Sequence, residues 1–311
     1  AKKIVELSTY DMQCFFCNSG AEANETAIKL ARKYGNVTFK TPKYKIITIK
    51  NSFHGRTIAT LKATAQEDKH KYFAPYPDGF VYANDINEAI NMIDDTTVGV
   101  MLELIQGEGG IFMQDIFQVQ RLEKILKEKK LLLIIDEVQT GVYRSGNFLI
   151  SQYFGIKPDI VTLAKGLASG IPIGVMMTSL KDIFTFGDHG STFGGNHLST
   201  TVCKAVLKIL EKYSNSGKLG ENIKYFNSCL QYFTDKYPNI FLQKNGWGFM
   251  QGLVLKNEND LSNIVNLALK NGVLVLKSGK NIIRFLPPII ISKKEIKEGF
   301  KRFEEGILDF K

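Results

Sequence analysis

The sequence predicts an α/β protein with a mainly parallel β-sheet, followed by a smaller α+β domain. Short apolar runs rich in β-branched residues alternate with amphipathic helical patterns between about residues 13 and 190. Such near-continuous apolar strands are typical of a parallel sheet that helices cover on both faces. Beyond this region helices mix with short strands, which favours a second domain. We place the large domain at residues 1–213 and the small domain at residues 214–311.

Helices and strands alternate regularly along the predicted large domain. Amphipathic periodicity predicts helices at residues 22–34, 86–93 and 117–130. The predicted strands lie in QCFFCNSG, KYKIITI (43–49), VGVMLEL (98–104), LLLIIDEV (131–138), DIVTLA (159–164) and GVMMTS (174–179). A helical stretch from about 197 to 236 then leads into GFMQGLVL, a helix near 260–271, GVLVL and IIRFLPP. The first residues resemble the end of a helix that feeds the first strand, so we expect a further segment in front of them.

The composition is that of an ordinary globular protein and limits the expected partners. The 311 residues are 44% hydrophobic and carry a formal charge of +9. This excess is compatible with a nucleic-acid or membrane partner, or with a lysine-rich surface around an anion site. The basic residues are scattered among acids, which favours the second interpretation. No apolar run approaches the roughly 20 residues of a membrane span. We therefore expect a cytoplasmic protein with no nucleic-acid or membrane partner.

The cysteines do not predict a metal site. Cys14 and Cys17 have the spacing of half a zinc or redox motif, but Phe15 and Phe16 lie between them. No second such pair and no nearby histidine completes a ligand set. Because side chains alternate along a strand, the two sulfurs would lie on opposite faces of the sheet. We interpret them as small buried apolar residues and expect no bound metal.

The segment NSGAE lies between a predicted strand and a predicted helix. Ser19 and Glu22 fit a capping box with Ser19 as the N-cap. Gly20 and Ala21 carry little side chain, so their N–H groups would be open to an anion such as phosphate. By itself, the segment is equally compatible with a plain helix cap.

Two further polar residues follow apolar strands. Asp136 ends one strand, at the usual ligand position of an open α/β sheet. A carboxylate buried there needs a cation, such as a protonated pyridine nitrogen, or donors from backbone N–H groups. Lys165 follows another strand and lies among small residues. If it is buried, desolvation would make its amine nucleophilic; alternatively, its side chain extends from the strand end into solvent.

Taken together, these groups are those that pyridoxal phosphate requires of a protein: a phosphate cradle, an acid for the ring nitrogen and an amine for the aldehyde. The wider motifs are FFCNSGAEANETAIKLARKYG, NSFHGRT, ELIQGEGG, LLIIDEVQTGVYRSG, LAKGLASGIPIG and HGSTFGGNHLS. With them the chain resembles the class III aminotransferases of fold type I, from about residue 4 to its C-terminus. The resemblance implies a seven-stranded sheet and a pyridoxal 5'-phosphate cofactor. It makes Lys165, joined covalently to the aldehyde, and Asp136, paired with the ring nitrogen, the catalytic residues.

The resemblance also implies how the other cofactor-binding residues act. Gly20 and Ala21 would bind the phosphate through their N–H groups. Phe53 would stack on one face of the pyridine ring and Val138 would pack on the other. Gln139 would hydrogen-bond near the phenolic oxygen.

A second set of residues is implied for the substrates and the neighbouring subunit. Thr192 would reach the phosphate of the neighbouring subunit's cofactor, with Ser191 close to the substrate. Arg56 would bind a distant substrate carboxylate. Arg284 would bind the carboxylate next to the reacting carbon, and Glu108 would screen Arg284 by pairing with it. A homodimer with shared active sites follows from the Thr192 role.

The implied reaction transfers an amino group in two halves, from an ω-amino donor to the cofactor and from the cofactor to 2-oxoglutarate, which becomes glutamate. Lys165 would move the proton between the substrate and cofactor carbons. Within the class, the compact IIRFLPP segment and the lack of large insertions favour the acetylornithine aminotransferase subgroup of arginine biosynthesis. The ornithine, 4-aminobutyrate and succinylornithine aminotransferase subgroups are the alternatives.

Overall fold

The computed structural model describes residues 1–310. Its helices are α1 (Lys2–Ser8), α2 (Gly20–Thr38), α3 (Ile58–Ala63), α4 (Ile86–Asn91), α5 (Ile116–Glu128), α6 (Ile150–Tyr153), α7 (His197–Asn215), α8 (Lys218–Lys236), α9 (Leu261–Lys270) and α10 (Lys293–Phe310). Its strands are β1 (Gln13–Cys17), β2 (Lys45–Ile49), β3 (Phe80–Ala83), β4 (Thr97–Leu102), β5 (Ile105–Gln106), β6 (Phe112–Met113), β7 (Leu132–Asp136), β8 (Ile160–Leu163), β9 (Gly174–Thr178), β10 (Phe241–Trp247), β11 (Met250–Leu255), β12 (Leu276–Ser278) and β13 (Ile282–Phe285).

The larger sheet has seven strands in the order β1-β9-β8-β7-β4-β2-β3. The pairs β8–β7, β7–β4, β4–β2 and β2–β3 are parallel, while β9 runs antiparallel to both β1 and β8. Strand β1 therefore has the same direction as β8. This arrangement confirms the predicted mainly parallel sheet. It also brings the carboxyl ends of β1, β2, β4, β7 and β8 to one edge of the sheet.

Helix α2 packs its apolar face on this sheet. Ala27, Ile28 and Ala31 belong to one buried cluster with strand residues that include Ile134 and Ile160. The helical spacing of the first three places them on one face of α2. Because the strands they cover are buried along their whole length, burial of apolar area stabilises this layer.

A second sheet contains four antiparallel strands in the order β10-β11-β13-β12, and β5 and β6 form a separate two-stranded ribbon. Phenylalanines on α8, α10 and β13 pack together beside the four-stranded sheet. The ring centroids of Phe226 and Phe300 lie 5.3 Å apart, and those of Phe285 and Phe303 lie 5.2 Å apart. Such tilted and edge-on pairs each contribute about 0.5–1.5 kcal/mol beyond their buried area.

The contacts divide the chain into two compact units. The first unit comprises Ala1–Leu104, Gln114–Val142 and Asn147–Lys208, and the second comprises Ile105–Met113, Tyr143–Gly146 and the residues from Ile209 onward. The predicted domain boundary after residue 213 stays a prediction. The division by contacts falls within α7 instead, and it assigns two short earlier segments to the second unit. The first segment contains β5 and β6, and β6 contacts β10. In the second segment, the carbonyl oxygen of Arg144 accepts from the N–H of Phe249 at 2.9 Å.

Several predicted elements differ from the structure in detail. The helical stretch from about 197 to 236 is two helices, because Gly217 between them has a φ of 79°. The strand expected in GVLVL begins only at Leu276, since Gly272 has a φ of 78° and forms the turn after α9.

Burial raises the pKa of the Cys17 thiol to about 12, as for a small apolar core residue. Within residues 1–310, no helix is both long and apolar enough to span a bilayer, and no group of three or more His, Cys, Asp or Glu side chains is arranged to hold a metal.

Candidate active site

A cavity of about 460 Å³ lies in the first unit, at the carboxyl edge of the parallel strands. Its walls are the segments that follow β1, β2, β4, β7 and β8, together with the loop that precedes β9. The lining residues are Asn18, Ser19, Gly20, Ala21, Asn24, Phe53, His54, Gly55, Arg56, Glu103, Asp136, Val138, Gln139, Ala164, Lys165, Gly170, Ile171, Pro172 and Ile173. Open α/β sheets bind their ligands at this edge, and the volume suits a small cofactor.

Helix α2 begins at the cavity with a side-chain cap. The Oγ of Ser19 accepts a hydrogen bond from the N–H of Glu22 at 3.2 Å, which confirms Ser19 as the N-cap. The Glu22 carboxylate accepts from the backbone N–H of Asn18, one residue before the group that a capping box uses. The cap therefore holds the helix start through both residues that the sequence singled out.

The first turn of α2 offers N–H groups to an anion. The N–H groups of Gly20 and Ala21 have no acceptor within the helix, and the helix dipole favours negative charge there. A Cβ added at Gly20 would lie 2.6 Å from Cγ1 of Val138. Glycine thus allows the helix to start against the loop that follows β7, and the two predicted phosphate-binding residues lie where a phosphate could reach their N–H groups.

Asp136 ends β7 and is only 4% exposed. Its Oδ2 accepts hydrogen bonds from Nδ2 of Asn24 at 2.7 Å and from Nδ1 of His54 at 2.8 Å. Its Oδ1 accepts one from the N–H of Val138 at 3.0 Å. These contacts assign the His54 proton to Nδ1. Because an ionised carboxyl group has about four acceptor sites, Asp136 can also accept a proton-bearing nitrogen from a ligand in the cavity.

Phe53 contributes an aromatic wall of the cavity. Its N–H donates to Oε2 of the buried Glu103 at 2.9 Å, which fixes the backbone at this point. The exposed Arg56 guanidinium lies 5.7 Å from the centroid of the Phe53 ring. Both predicted residues therefore belong to the same wall, with Arg56 in contact with solvent and open to a carboxylate.

Lys165 lines the cavity, but its side chain is exposed in the single chain. Of the two alternatives that the sequence leaves open, the structure shows the exposed side chain, because Lys165 opens a 3₁₀ turn (Lys165–Ala168) just beyond the buried strand β8. Its φ of 42° lies in the left-handed region, which is strained for any residue other than glycine. Strain of this kind concentrates at ligand sites. The amine nevertheless belongs to the same cavity as Asp136 and Gly20.

The cavity's hydrogen-bonding groups fit a phosphorylated pyridine aldehyde. The Oε1 of Gln139 is buried and has no hydrogen-bond partner among the described residues, and this side chain lines the cavity. A buried carbonyl oxygen of this kind is costly unless a ligand donates to it. Phe53 and Val138 supply apolar surface for a ring, Asp136 supplies an acceptor for its nitrogen, and α2 supplies donors for phosphate. The residues present therefore fit pyridoxal phosphate.

Ser191 and Thr192 do not line this cavity. They line a neighbouring cleft of about 350 Å³, together with Glu22 and Glu25. The Oγ of Ser191 accepts from Nδ2 of Asn18 at 3.3 Å, so Ser191 is joined to a cavity residue, whereas Thr192 is exposed. An exposed Thr192 is compatible with the prediction that it acts on a neighbouring subunit, which stays a prediction.

Arg284 and Glu108 form an ion pair within the second unit. An Nη1–Oε1 distance of 2.7 Å joins them, and the same Arg284 nitrogen donates to the carbonyl oxygen of Gly107 at 3.0 Å. Arg284 lies in β13 and is buried there. Its Nε is also buried and has no hydrogen-bond partner in the part of the chain that the structure describes. The pair predicted from the sequence is therefore present.

Reasoning from the sequence missed three contacts of the site. Asn24 and His54 both hold Asp136, and Glu103 fixes Phe53. The available signal for Asn24 is its position on the apolar face of α2, four residues after Gly20, where a polar side chain is out of place. Glu103 follows β4 directly, at the same edge as the predicted residues.

Comparison with known proteins identifies the family. The family described as "Aminotransferase class-III" matches residues 1–307. The acetylornithine aminotransferase of Wolinella succinogenes is 52% identical over 99% of this chain and 78% of its own length. That of Methanocaldococcus jannaschii is 40% identical over 100% of this chain and 78% of its own.

Solved structures show the same fold. The ornithine aminotransferase of Toxoplasma gondii superposes with a TM-score of 0.92 at 27% identity, over 99% of this chain and 74% of that one. The N-acetylornithine aminotransferase of Stenotrophomonas maltophilia gives a TM-score of 0.84 at 30% identity, over 100% of this chain and 78% of that one. With the family match, these similarities confirm the resemblance and the predicted cofactor. The chain belongs to the class III aminotransferases, a family of pyridoxal-phosphate-dependent enzymes that transfer amino groups.

Proposed function

We propose that this protein transfers the terminal amino group of N2-acetylornithine to 2-oxoglutarate, giving glutamate and a semialdehyde. The observation that carries this proposal is that one cavity contains Lys165, Asp136 and the N-terminus of α2. The relatives support the choice of donor, since curated acetylornithine aminotransferases are 40–52% identical to this chain over nearly all of it. Ornithine, 4-aminobutyrate and succinylornithine are the competing donors.

Each catalytic group has a defined task in this proposal. When bound, pyridoxal phosphate supplies an electron-withdrawing ring that stabilises negative charge on the substrate carbon. Asp136 would accept a hydrogen bond from the ring nitrogen and so would keep that nitrogen protonated. The Nζ of Lys165 would remove the proton from the substrate carbon that bears the amine, as general base, and would then deliver that proton to the cofactor carbon, as general acid. Phe53 and Val138 would pack against the two faces of the ring, and the N–H groups of Gly20 and Ala21 would bind the phosphate.

Two arginines divide the recognition of the substrate carboxylates. Arg56 is exposed and can bind the distant carboxylate of either substrate through two parallel hydrogen bonds. An ω-amino donor has no carboxylate beside its reacting carbon, so Arg284 would carry an unbalanced buried charge while the donor is bound. The Glu108 carboxylate, 2.7 Å from Arg284, balances that charge. We expect it to move away when 2-oxoglutarate brings its own carboxylate.

The change Arg284→Ala tests this division. It should slow the half-reaction with 2-oxoglutarate by about 10- to 100-fold, the value of one hydrogen bond to a charged group, and affect the donor half-reaction less. Rapid-mixing spectroscopy of the two separate half-reactions measures both rates. Arg302, an exposed residue of the same unit paired with Glu298, gives the control Arg302→Ala, which should change neither. Equal losses in both half-reactions of Arg284→Ala would contradict the switch.

The donor is tested by a direct comparison of substrates. We expect the highest kcat/KM for N2-acetylornithine when it is measured against ornithine, 4-aminobutyrate and succinylornithine with 2-oxoglutarate as the common acceptor. The measurement is glutamate formation at several donor concentrations. A higher kcat/KM for one of the other three donors would replace acetylornithine in the proposal and leave the aminotransferase assignment intact.

The subunit arrangement and the compartment belong to the same proposal. Thr192 is exposed and lies outside the cavity of its own chain, which supports a homodimer in which it reaches the partner's cofactor phosphate. A cytoplasmic location suits a biosynthetic enzyme that uses 2-oxoglutarate. Light scattering of the holoenzyme measures the mass of the assembly and tests the dimer.

A further inference from the structure

Asn24 lies on α2, close to both the helix start and Asp136, and it lines the cavity. It is 1% exposed and follows Gly20 by four residues, or about 6 Å along the helix axis. Its Nδ2 donates to the backbone oxygen of His54 and to Oδ2 of Asp136, both at 2.7 Å. Its Oδ1 accepts from Oγ1 of Thr162, also at 2.7 Å. Both N–H bonds and the carbonyl of this amide are therefore used.

The bonds of Asn24 join three separate elements at one point. Asp136 ends β7, Thr162 lies in β8, and His54 lies in the segment after β2. Each of these elements supplies a cavity wall or a residue beside it. Asn24 therefore fixes the start of α2 relative to the strand that carries the buried carboxylate.

Packing alone does not explain an asparagine at position 24. Its neighbours on the same helix face, such as Ala27 and Ala31, are apolar and fully buried. Burying an amide in such a layer is costly unless each polar atom is bonded, so an apolar residue would serve packing better. The short bond to the Asp136 carboxylate, a charged acceptor, is the strongest contact that the amide makes.

We propose that Asn24 is a positioning residue that sets the orientation of the Asp136 carboxylate relative to the N–H groups at the start of α2. The cavity thereby selects a ligand with phosphate at one end and a protonated ring nitrogen at a fixed distance from it. This inference rests on the proposed cofactor site. It adds that the distance between the phosphate site and the Asp136 carboxylate is fixed by a side chain that neither contacts the phosphate nor takes part in the reaction.

The test compares the binding of two ligands to the apoenzyme. Asn24→Ala should weaken pyridoxal phosphate binding by about 10- to 100-fold, since it removes a hydrogen bond to a charged acceptor. It should leave the affinity for inorganic phosphate within about twofold, because the N–H groups at the start of α2 remain in place. Absorbance in the visible measures the first dissociation constant, and competition against pyridoxal phosphate measures the second.

A second variant keeps the proposal testable if Asn24→Ala does not fold. Asn24→Asp has the same shape and keeps the acceptor for Thr162, but it removes the N–H donors. At high pH it places a second carboxylate beside Asp136 and His54, whereas at low pH a protonated carboxyl can donate to Asp136. Cofactor binding by Asn24→Asp should therefore weaken as pH rises through the neutral range. The wild type should show a smaller change.

Ala27→Gly serves as the matched control. It weakens the same buried helix by about 1 kcal/mol without touching Asp136. It should lower the unfolding temperature and leave the cofactor dissociation constant unchanged. The proposal is overturned if Asn24→Ala weakens phosphate and cofactor equally, if Ala27→Gly weakens cofactor binding as much, or if Asn24→Asp binds like the wild type at every pH. Failure of the wild-type chain itself to bind pyridoxal phosphate would instead refute the proposed function.

Discussion

Replacing Lys165 by alanine should lower the rate of both half-reactions by at least about 10²–10⁴-fold, the usual contribution of a positioned general acid–base group. Among the described residues that line the cavity, Lys165 alone carries a primary amine. On the proposed function, its loss would remove both the covalent attachment of the cofactor and the group that moves the proton. Single-turnover kinetics with preloaded cofactor measure the two rates separately.

Two features separate this effect from a general loss of structure. The variant should still bind pyridoxal phosphate, because Asp136, Phe53 and the start of α2 are unchanged. Its visible absorption should differ, and borohydride should no longer join the cofactor covalently to the protein. Added methylamine should restore part of the activity by replacing the missing amine. Lys181→Ala, which breaks only an exposed ion pair with Asp11, is the control and should leave activity unchanged. Full activity of Lys165→Ala would refute the proposed role.

The sequence is a good guide to the residues that follow parallel strands. Gly20, Asp136 and Lys165 come after β1, at the end of β7 and after β8, respectively. Because those strands run in the same direction, the three residues lie at the same edge of the sheet. This conclusion does not depend on the order of the strands. The apolar runs and the polar residues that end them contain this information locally.

Contacts between residues far apart in sequence could not be predicted, because hydrophobic periodicity does not give the order of the strands. Asn24 and Asp136 are 112 residues apart, and His54 and Asp136 are 82 apart. Their contacts depend on which strand lies beside which and on the angle at which α2 crosses the sheet. Only the apolar face of α2, interrupted by Asn24, hints that a partner exists.

The exposure of Lys165 shows a second limit. Small neighbours and a preceding apolar strand indicate burial, but the chain turns immediately after β8. Burial depends on what closes over the end of a strand, which local composition does not specify.

Asp136→Asn should weaken cofactor binding and slow catalysis together. Truncating one partner of a buried charge pair costs about 2–5 kcal/mol, or roughly 30- to 5,000-fold in a binding or rate constant. The new amide would also present N–H groups towards the side chains of Asn24 and His54, which now donate to Oδ2 of Asp136. The ring nitrogen would lose its acceptor and would no longer be held in the protonated form.

The measurements for Asp136→Asn are the cofactor dissociation constant, the rate of each half-reaction and the free energy of unfolding. Asp159→Asn is the matched control. The partly buried Asp159 carboxylate accepts from the N–H of Leu133, which lies in β7 like Asp136, but Asp159 itself lies outside the cavity. Burial raises the pKa of Asp159, so its amide variant should keep much of the stability. We expect it to leave cofactor binding unchanged. Comparable losses of cofactor affinity in both variants would mean that Asp136 supports β7 and does not contact the ring nitrogen. The proposed cofactor site would then lack an acceptor for that nitrogen.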